Sequence, residues 1–280
     1  MADIQKLAEI ASQVRRDVVR MVAAAGSGHP GGSMGIADVM TALYFHEMRH
    51  NPAEWTRSGK GQDVFILSAG HLAPVLYSVL ARTGYFPTSE LGTLRRMGSR
   101  LQGHPSITDG LPGINMPSGS LGQGLAAAAG IALGKRMDGE ENRVYVLCGD
   151  GECEEGEIWE TAMWAPHNRL DNLVAFTDWN GQQIDGETRT ITGIEDLGEK
   201  WTAFGWDVIE ADGHDFGSIL TAFEMAHTRD GKPKMILFRT EMGHGVDFMA
   251  GTCEWHGKAP TPKQAEAALA QLEETLGDYE

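Results

Sequence analysis

Cysteine is scarce: Cys148, Cys153 and Cys253 are the only three in 280 residues. Three cannot complete a disulfide framework, and no C-x-x-C pair is present. Reduced thiols in a cytoplasmic protein are therefore expected. Long apolar runs are missing too, and nothing approaches the roughly 20 residues that a membrane helix needs. The amino-terminal segment does not read as a signal peptide. Ile4, Leu7, Ala11, Val14, Val18 and Met21 recur at helical spacing, while Arg15, Arg16 and Asp17 interrupt any apolar stretch. Positive charge is short as well: 23 Lys and Arg stand against 39 Asp and Glu, a net charge of −16. That balance excludes a general nucleic-acid binder, which needs a cationic surplus to neutralise phosphates. Any phosphorylated ligand must bring or find its own local positive charge. No repeat, low-complexity tract or interdomain linker is evident, so residues 1–280 are expected to form one domain.

What is present is ordinary in bulk and unusual in one respect. Apolar residues make up 41% and charged residues 22%, values typical of a globular chain. Glycine is the exception, at 36 residues nearly twice the usual share of about 7%. Glycine supplies positive φ and close backbone approach, so the excess points to many tight turns or to loops wrapped round a ligand. Five short runs read as strands: Val64–Leu67, Val144–Cys148, Leu173–Thr177, Trp206–Glu210 and Met235–Arg239. Most are apolar throughout, as strands covered on both faces should be. Helical patterns lie between them at Leu72–Arg82, Leu121–Arg136, Glu157–His167 and Phe216–Arg229. The alternation predicts an α/β fold, a doubly wound and mainly parallel sheet with helices on both faces. Ligands of such sheets sit beyond the carboxyl ends of the strands. A final helix is expected from about residue 262, where Thr261-Pro262-Lys263-Gln264 carries a capping-box pattern. Leu269, Leu272 and Leu276 would continue it as an apolar stripe.

Two observations locate the chemistry. Six of the ten histidines adjoin a glycine: His29, His71, His104, His214, His244 and His256. A core histidine needs no glycine beside it, whereas one presented to a ligand from a tight loop often does. Second, the strand Val144–Cys148 runs into Gly149-Asp150-Gly151, and the next strand ends at Asp178-Trp179-Asn180-Gly181-Gln182. A carboxylate, an amide oxygen and a main-chain carbonyl at neighbouring strand ends suit a hard cation such as Mg²⁺ or Ca²⁺. The segment 150–157 holds five carboxylates and no Lys or Arg. A diphosphate could dock there only through a divalent metal.

The pair Gly149-Asp150-Gly151 and Asn180 looks like the thiamine diphosphate motif, and the surrounding loops resemble transketolase. Ser27-Gly28-His29-Pro30-Gly31, Ser68-Ala69-Gly70-His71, Gly103-His104-Pro105 and Gly119-Ser120-Leu121-Gly122-Gln123-Gly124 match in family order. So do Asp185-Gly186, Asp212-Gly213-His214-Asp215 and Trp255-His256-Gly257-Lys258. The resemblance runs from about Arg15 to Pro260 and implies the diphosphate-binding type of thiamine diphosphate fold. It places His29, His71, His104 and His256 in the catalytic machinery. It implies cofactor contacts from His71, Gly119, Ser120, Leu121, Asp150, Gly151, Glu155, Asn180 and His256. Asp150, the Asn180 side chain and the Gln182 carbonyl would hold Mg²⁺, with Ca²⁺ or Mn²⁺ as substitutes. Ser120 stands where the family usually has proline, and Cys253 where one branch has a second histidine.

Such an enzyme transfers a two-carbon ketol unit between sugar phosphates. The complete family chain continues into a second domain, which supplies the glutamate that activates the cofactor and most substrate-phosphate ligands, and then a third domain. This chain stops soon after the first domain's last motif. The resemblance is therefore to the amino-terminal subunit of a split transketolase, completed by a carboxyl-terminal subunit in an α₂β₂ assembly. The small-residue helix Leu121–Arg136 suits close approach in such an assembly or on its own sheet. One chain of a 1-deoxyxylulose-5-phosphate synthase or of an oxo-acid dehydrogenase shares the cofactor, but the His104 and His256 loops point towards transketolase. A non-catalytic thiamine diphosphate binder would need few of the histidines. A nicotinamide site is disfavoured because Gly119–Gly124 has the wrong glycine spacing. Neither nucleic acid nor membrane is an expected partner.

Overall fold

The computed structural model describes residues 2–280. Its strands in chain order are β1 (Val64–Leu67), β2 (Val144–Gly149), β3 (Leu173–Trp179), β4 (Gln182–Gln183), β5 (Gly186–Glu187), β6 (Asp207–Asp212) and β7 (Lys234–Arg239). Five form one sheet in the order β1-β2-β3-β7-β6, and β4 pairs with β5 in a separate hairpin. Every neighbour pair in the large sheet is parallel, so all five strands deliver their carboxyl ends to the same side. The helices are α1 (Ile4–Ala25), α2 (Pro30–Gly35), α3 (Ala37–Ala42), α4 (Ala73–Arg82), α5 (Gln123–Met137), α6 (Gly156–His167), α7 (Thr188–Ile191), α8 (Leu197–Ala203), α9 (Phe216–Met225) and α10 (Pro262–Leu269). Among the described residues no helix is long and apolar enough to cross a membrane.

The apolar strand runs are explained by cover on both faces. Val14, Val18, Val39, Leu76 and Phe223 of α1, α3, α4 and α9 pack with Leu147, Phe176 and Phe238 on one side. On the other, Leu125, Ala128, Ile158, Ala162 and Trp201 of α5, α6 and α8 pack with Val146, Ala175 and Leu237. The outer strand β6 alternates between buried and open positions, as a strand at a sheet edge should. The expected fold class is the one observed.

The limits of some elements differ from the sequence reading, each for a local reason. Helix α5 starts at Gln123 because Gly122 has φ 88° and cannot continue a right-handed helix. Residues 70–72 form a tight turn ahead of α4, which sets His71 off the helix. At the carboxyl end the capping box forms as expected, but α10 stops at Leu269 and the predicted stripe breaks. Leu272 is buried while Leu276 is 49% exposed. The tail is drawn away by α1 instead. Ser12 Oγ donates to the Glu273 carbonyl at 2.7 Å, and Thr275 Oγ1 donates to the Glu9 carbonyl at 2.5 Å.

The charged triplet that interrupts α1 proves to be buried and paired. Arg15 reaches Asp38 on α3 at 2.5 and 2.9 Å. Asp17 accepts from Arg82 twice at 2.8 Å and from Ser78 at 2.7 Å, both on α4. Arg16 holds the tail, donating to Asp278 at 2.7 and 2.9 Å and to the Leu269 and Leu272 carbonyls. Its guanidinium holds the Asp278 carboxyl down at about 2. A depressed carboxyl contributes stability that is complete above its unfolded value and lost as pH falls through the folded one. Because Asp278 is partly exposed, the discounted contribution is on the order of 1–2 kcal/mol. Asp278→Asn should lower the thermal midpoint by a few degrees at pH 7, and the gap to the parent should close as pH approaches 2. Equal midpoints at pH 7 would show that the tail contact carries no stability.

Candidate active site

Four loops at the carboxyl side of the sheet bring four histidines together. His29 caps α2, between Gly28 at φ 140° and Pro30 in the first turn. His71 sits in the turn after β1, His104 in the irregular segment after Gly103, and His256 just past the turn Cys253–Trp255. The His29 ring lies 5.3 Å from His71, 6.2 Å from His104 and 5.6 Å from His256 by centroid. His71 and His256 are 4.9 Å apart.

Glycine makes this convergence sterically possible. A Cβ on Gly70 would meet Ser118 Oγ at 2.7 Å and the Gly119 nitrogen at 2.8 Å. One on Gly31 would meet Met242 and the Trp255 carbonyl at 2.6 and 2.8 Å. The loops therefore stack backbone against backbone, closer than any side chain would allow.

Burial keeps the four imidazoles neutral. His29 is pushed down to about 4, by desolvation first and then by His256, Arg95 and His104. His71 is held well below the ordinary histidine value, by burial first and then by its histidine neighbours. His104 is lowered by desolvation and Arg95, and His256 by desolvation against a smaller opposing effect of Asp185. Neutral imidazoles offer both a donor and an acceptor nitrogen. The His29 Nδ1 atom is buried without a protein partner.

Below the histidines, β2 and β3 end side by side, with Gly149 paired to Asp178. Asp150 Oδ1 accepts from the Gly151 nitrogen at 2.7 Å, and Oδ2 from the Gly181 nitrogen at 2.6 Å. Asn180 Nδ2 donates to Asp178 Oδ2 at 2.9 Å, while Asn180 Oδ1 accepts from the Gln182 nitrogen at 2.9 Å. Asp178 thus fixes which way the Asn180 amide faces. Thr240 Oγ1 donates to the other oxygen of Asp178. Asp150 is pushed up to about 7, by burial first and by Asp178 second. Two buried carboxylates with an amide oxygen beside them, and no Lys or Arg lining the cavity around them, form a donor set that suits a divalent cation. The chain's own residues therefore fit the expected metal.

That cavity has a volume of about 400 Å³, within the range of small-molecule sites. His71, Leu121, Asp150, Gly151, Glu155, Asn180, Gln182 and His256 line it. Gln183 Oε1 and Glu154 Oε1, on two further lining residues, are buried without partners, polar atoms available to a polar ligand. His29 stands against His71 and His256, and a Cβ on Gly119 would lie 3.5 Å from His104. Ser120 is exposed and lines no part of the cavity. A larger cavity of about 1100 Å³ opens between the β4–β5 hairpin, α8 and β6. It shares Gln182 with the site but contains no histidine, so the chemistry belongs to the smaller one.

Several organising residues have no motif to announce them. Glu152 is buried and accepts from Ser68 Oγ, from the Gly122 nitrogen at 2.8 Å and from the Gly149 nitrogen at 2.9 Å. This carboxylate, rather than the exposed Glu155, makes the hydrogen bonds that tie the β1, β2 and α5 loops together. Only their position beside named motif residues could have flagged Glu152 and Asp178. The remaining glycine-flanked histidines go elsewhere. His214 and His244 stack 3.6 Å apart, and His214 Nδ1 lies 3.0 Å from Asp38 Oδ2. Arg15 already neutralises Asp38, and the His214 Nε2 accepts from the Glu241 nitrogen at 2.9 Å. This second group fastens α3 to the 241–245 loop.

Comparison with known proteins identifies the family. Residues 6–277 match the family described as "Transketolase, thiamine diphosphate binding domain". The 6-deoxy-6-sulfo-D-fructose transketolase subunit SqwG of Clostridium sp. (strain MSTE9) is 44% identical over 97% of this chain and 96% of its own length. An apulose-4-phosphate transketolase subunit of Phocaeicola vulgatus is 38% identical over 95% and 93%. Among solved structures, transketolase from Leishmania mexicana superposes with a TM-score of 0.89 at 31% identity, over 100% of this chain and 43% of that one. A Pichia stipitis transketolase bound to sedoheptulose 7-phosphate gives 0.88 at 33%, over 94% and 40%. The chain thus spans about two-fifths of the solved transketolases it matches.

The depressed histidines give a pH signature. Between about 4 and the ordinary histidine value of about 6.5, the unfolded chain binds protons that folded His29 refuses. Stability is then complete above that window and falls as pH drops through it. In the free chain the His29 ring should titrate by NMR near 4. The thermal midpoint should fall between pH 7 and 5, and fall less in His29→Asn. A His29 midpoint near that of free histidine would contradict the burial argument.

Proposed function

The chain belongs to the transketolase thiamine diphosphate-binding family, and from that membership we propose that it is the cofactor-binding subunit of a split transketolase. With a partner subunit it moves a two-carbon ketol unit from a ketose phosphate to an aldose phosphate. One observation carries this reading: His29, His71, His104 and His256 converge, and His71 and His256 line one cavity together with Asp150 and Asn180.

When bound, thiamine diphosphate supplies the carbon nucleophile for cleaving and re-forming the bond beside a ketose carbonyl. Asp150, the Asn180 side chain and the Gln182 carbonyl would hold Mg²⁺, with Ca²⁺ or Mn²⁺ as substitutes. Gly151, Leu121, Glu155, His71 and His256 line the cavity that would take the cofactor, while Gly119 and Ser120, expected as further contacts, lie outside that lining. A cation held there would place positive charge between a diphosphate and the buried carboxylates of Asp150 and Asp178. The neutral histidines donate and accept protons at sugar oxygens, work that typically contributes 10²–10⁴-fold. Mere binding of the cofactor would not require four of them.

A partner is supported by the names of two relatives of similar length, both called transketolase subunits. We assign an α₂β₂ assembly in the cytoplasm. Helix α5 offers a contact face. A Cβ on Gly130 or Gly134 would meet nothing within 4 Å, so no contact within the chain requires glycine there. Met163 and Trp164 of α6 are exposed as well, at 57% and 41%.

The purified chain alone should show no ketol transfer above background. Mixed with the partner subunit, it should become active in the presence of thiamine diphosphate and Mg²⁺. Asp150→Ala should lower that activity at least 100-fold, on the order of 3 kcal/mol or more. In calorimetry it should also weaken metal-dependent cofactor binding. Turnover by the lone chain at the rate of the mixture would sink the half-site reading.

A further inference from the structure

Buried arginines in this acidic molecule are held by carboxylates, as Arg15, Arg16 and Arg82 show. Arg95 is different. It is half-buried beside the histidines, and no ion pair engages it among the described residues. Its side chain makes a single long hydrogen bond to those residues, from Nη1 to Ser27 Oγ at 3.4 Å. The backbone adopts φ 58°, a left-handed conformation in which glycine is the easy choice and arginine is strained. Outliers of this kind gather at functional sites. The Arg95 nitrogen donates to the Leu101 carbonyl at 2.8 Å, which locks the loop. The guanidinium lies so close over Gly103 that a Cβ there would meet Cζ at 2.8 Å. Its charge reaches both His29 and His104.

Arg95 also lines an open groove of about 560 Å³ with Gln102, His104, Ser106, Thr108 and Asp109. His29 bridges this groove and the cofactor cavity, since its ring neighbours His104 on one side and His71 on the other. A sugar reacting at the cavity and lying across His29 and His104 would extend its far end into the groove. Phosphate and sulfonate both present tetrahedral anionic oxygens that the guanidinium fork can grip with two hydrogen bonds.

We propose that Arg95 binds the anionic terminal group of the sugar and sets the preference for charged over neutral substrates from this chain's side of the site. The proposal rests on the transketolase reading and adds to it a specificity-determining residue.

The test uses the chain assembled with its partner subunit. The donors are fructose 6-phosphate, 6-deoxy-6-sulfofructose and unmodified fructose. In Arg95→Gly, where the new residue relieves the backbone strain, the thermal midpoint should match or exceed the parent's. The preference for an anionic donor over fructose, as a ratio of kcat/KM, should fall roughly tenfold to a hundredfold, mainly through KM. Arg95→Lys, keeping the charge without the fork, should recover part of it. The anionic donor that loses its advantage identifies phosphate or sulfonate as the recognised group. A second arm needs no turnover. Inorganic phosphate or methanesulfonate added to the free chain should shift the His29 and His104 ring signals in NMR, and should not in Arg95→Gly. An unchanged donor preference, equal losses for charged and neutral donors, or identical NMR shifts in the variant would overturn the proposal. If the assembled subunits transferred no ketol unit from any donor, the transketolase reading would fail, while the NMR arm would still judge Arg95.

Discussion

Two carboxylates buried at the ends of neighbouring strands, in a cavity lined by neither Lys nor Arg, set the terms for the rest of this molecule. Burying an anion without compensation is costly, and like charges at close quarters add to the cost. Every nearby feature reads as an answer to that constraint. Main-chain N–H groups of Gly151 and Gly181 point at Asp150, and Thr240 and Asn180 donate to Asp178. These donors are arranged so that the Asn180 oxygen faces the other way. The remaining deficit is one that suits a divalent cation.

The glycine excess has two separate causes. Some glycines adopt positive φ, as at Gly28 and Gly122. Others have ordinary backbone angles and are required by proximity. Gly31, Gly35 and Gly70 each lie where a Cβ would come within 2.8 Å of another loop. The second kind is what lets loops from distant parts of the sequence share one small volume.

Much of this could be read in the sequence, because the signals were local. Apolar runs marked the strands, Gly-Asp-Gly marked the turn after β2 where Asp150 is buried, and glycine-flanked histidines marked the loops. The same histidine signal also took in His214 and His244, whose surroundings make them structural. Adjacency to glycine says that a histidine sits in a tight loop, and not which way the loop faces. Helices α2 and α3 escaped notice because Pro30–Gly35 has almost no side chains to give a period, and its helical state depends on packing. Glu152, Asp178 and Arg95 were illegible for a different reason. Glu152 also depends on Ser68 and Gly122, Asp178 on Thr240, and Arg95 on Ser27, all distant in sequence, so a short window does little to distinguish them from surface charges. The carboxyl-terminal stripe misled in the same way: helical spacing at Leu276 was overridden by hydrogen bonds to α1.

The triplet Arg15, Arg16 and Asp17 has a consequence for how the fold holds together. Successive residues of a helix point about 100° apart, so these three side chains radiate to three different parts of the chain: α3, the tail and α4. Detaching any one of those parts would leave a charge stranded in the interior of an otherwise folded protein, a far more expensive state than a complete ion pair. Partial opening around α1 is thereby penalised beyond the contacts it breaks. Three elements without a shared strand or loop are made to dock or release together, and the first helix acts as the keystone of their cooperativity.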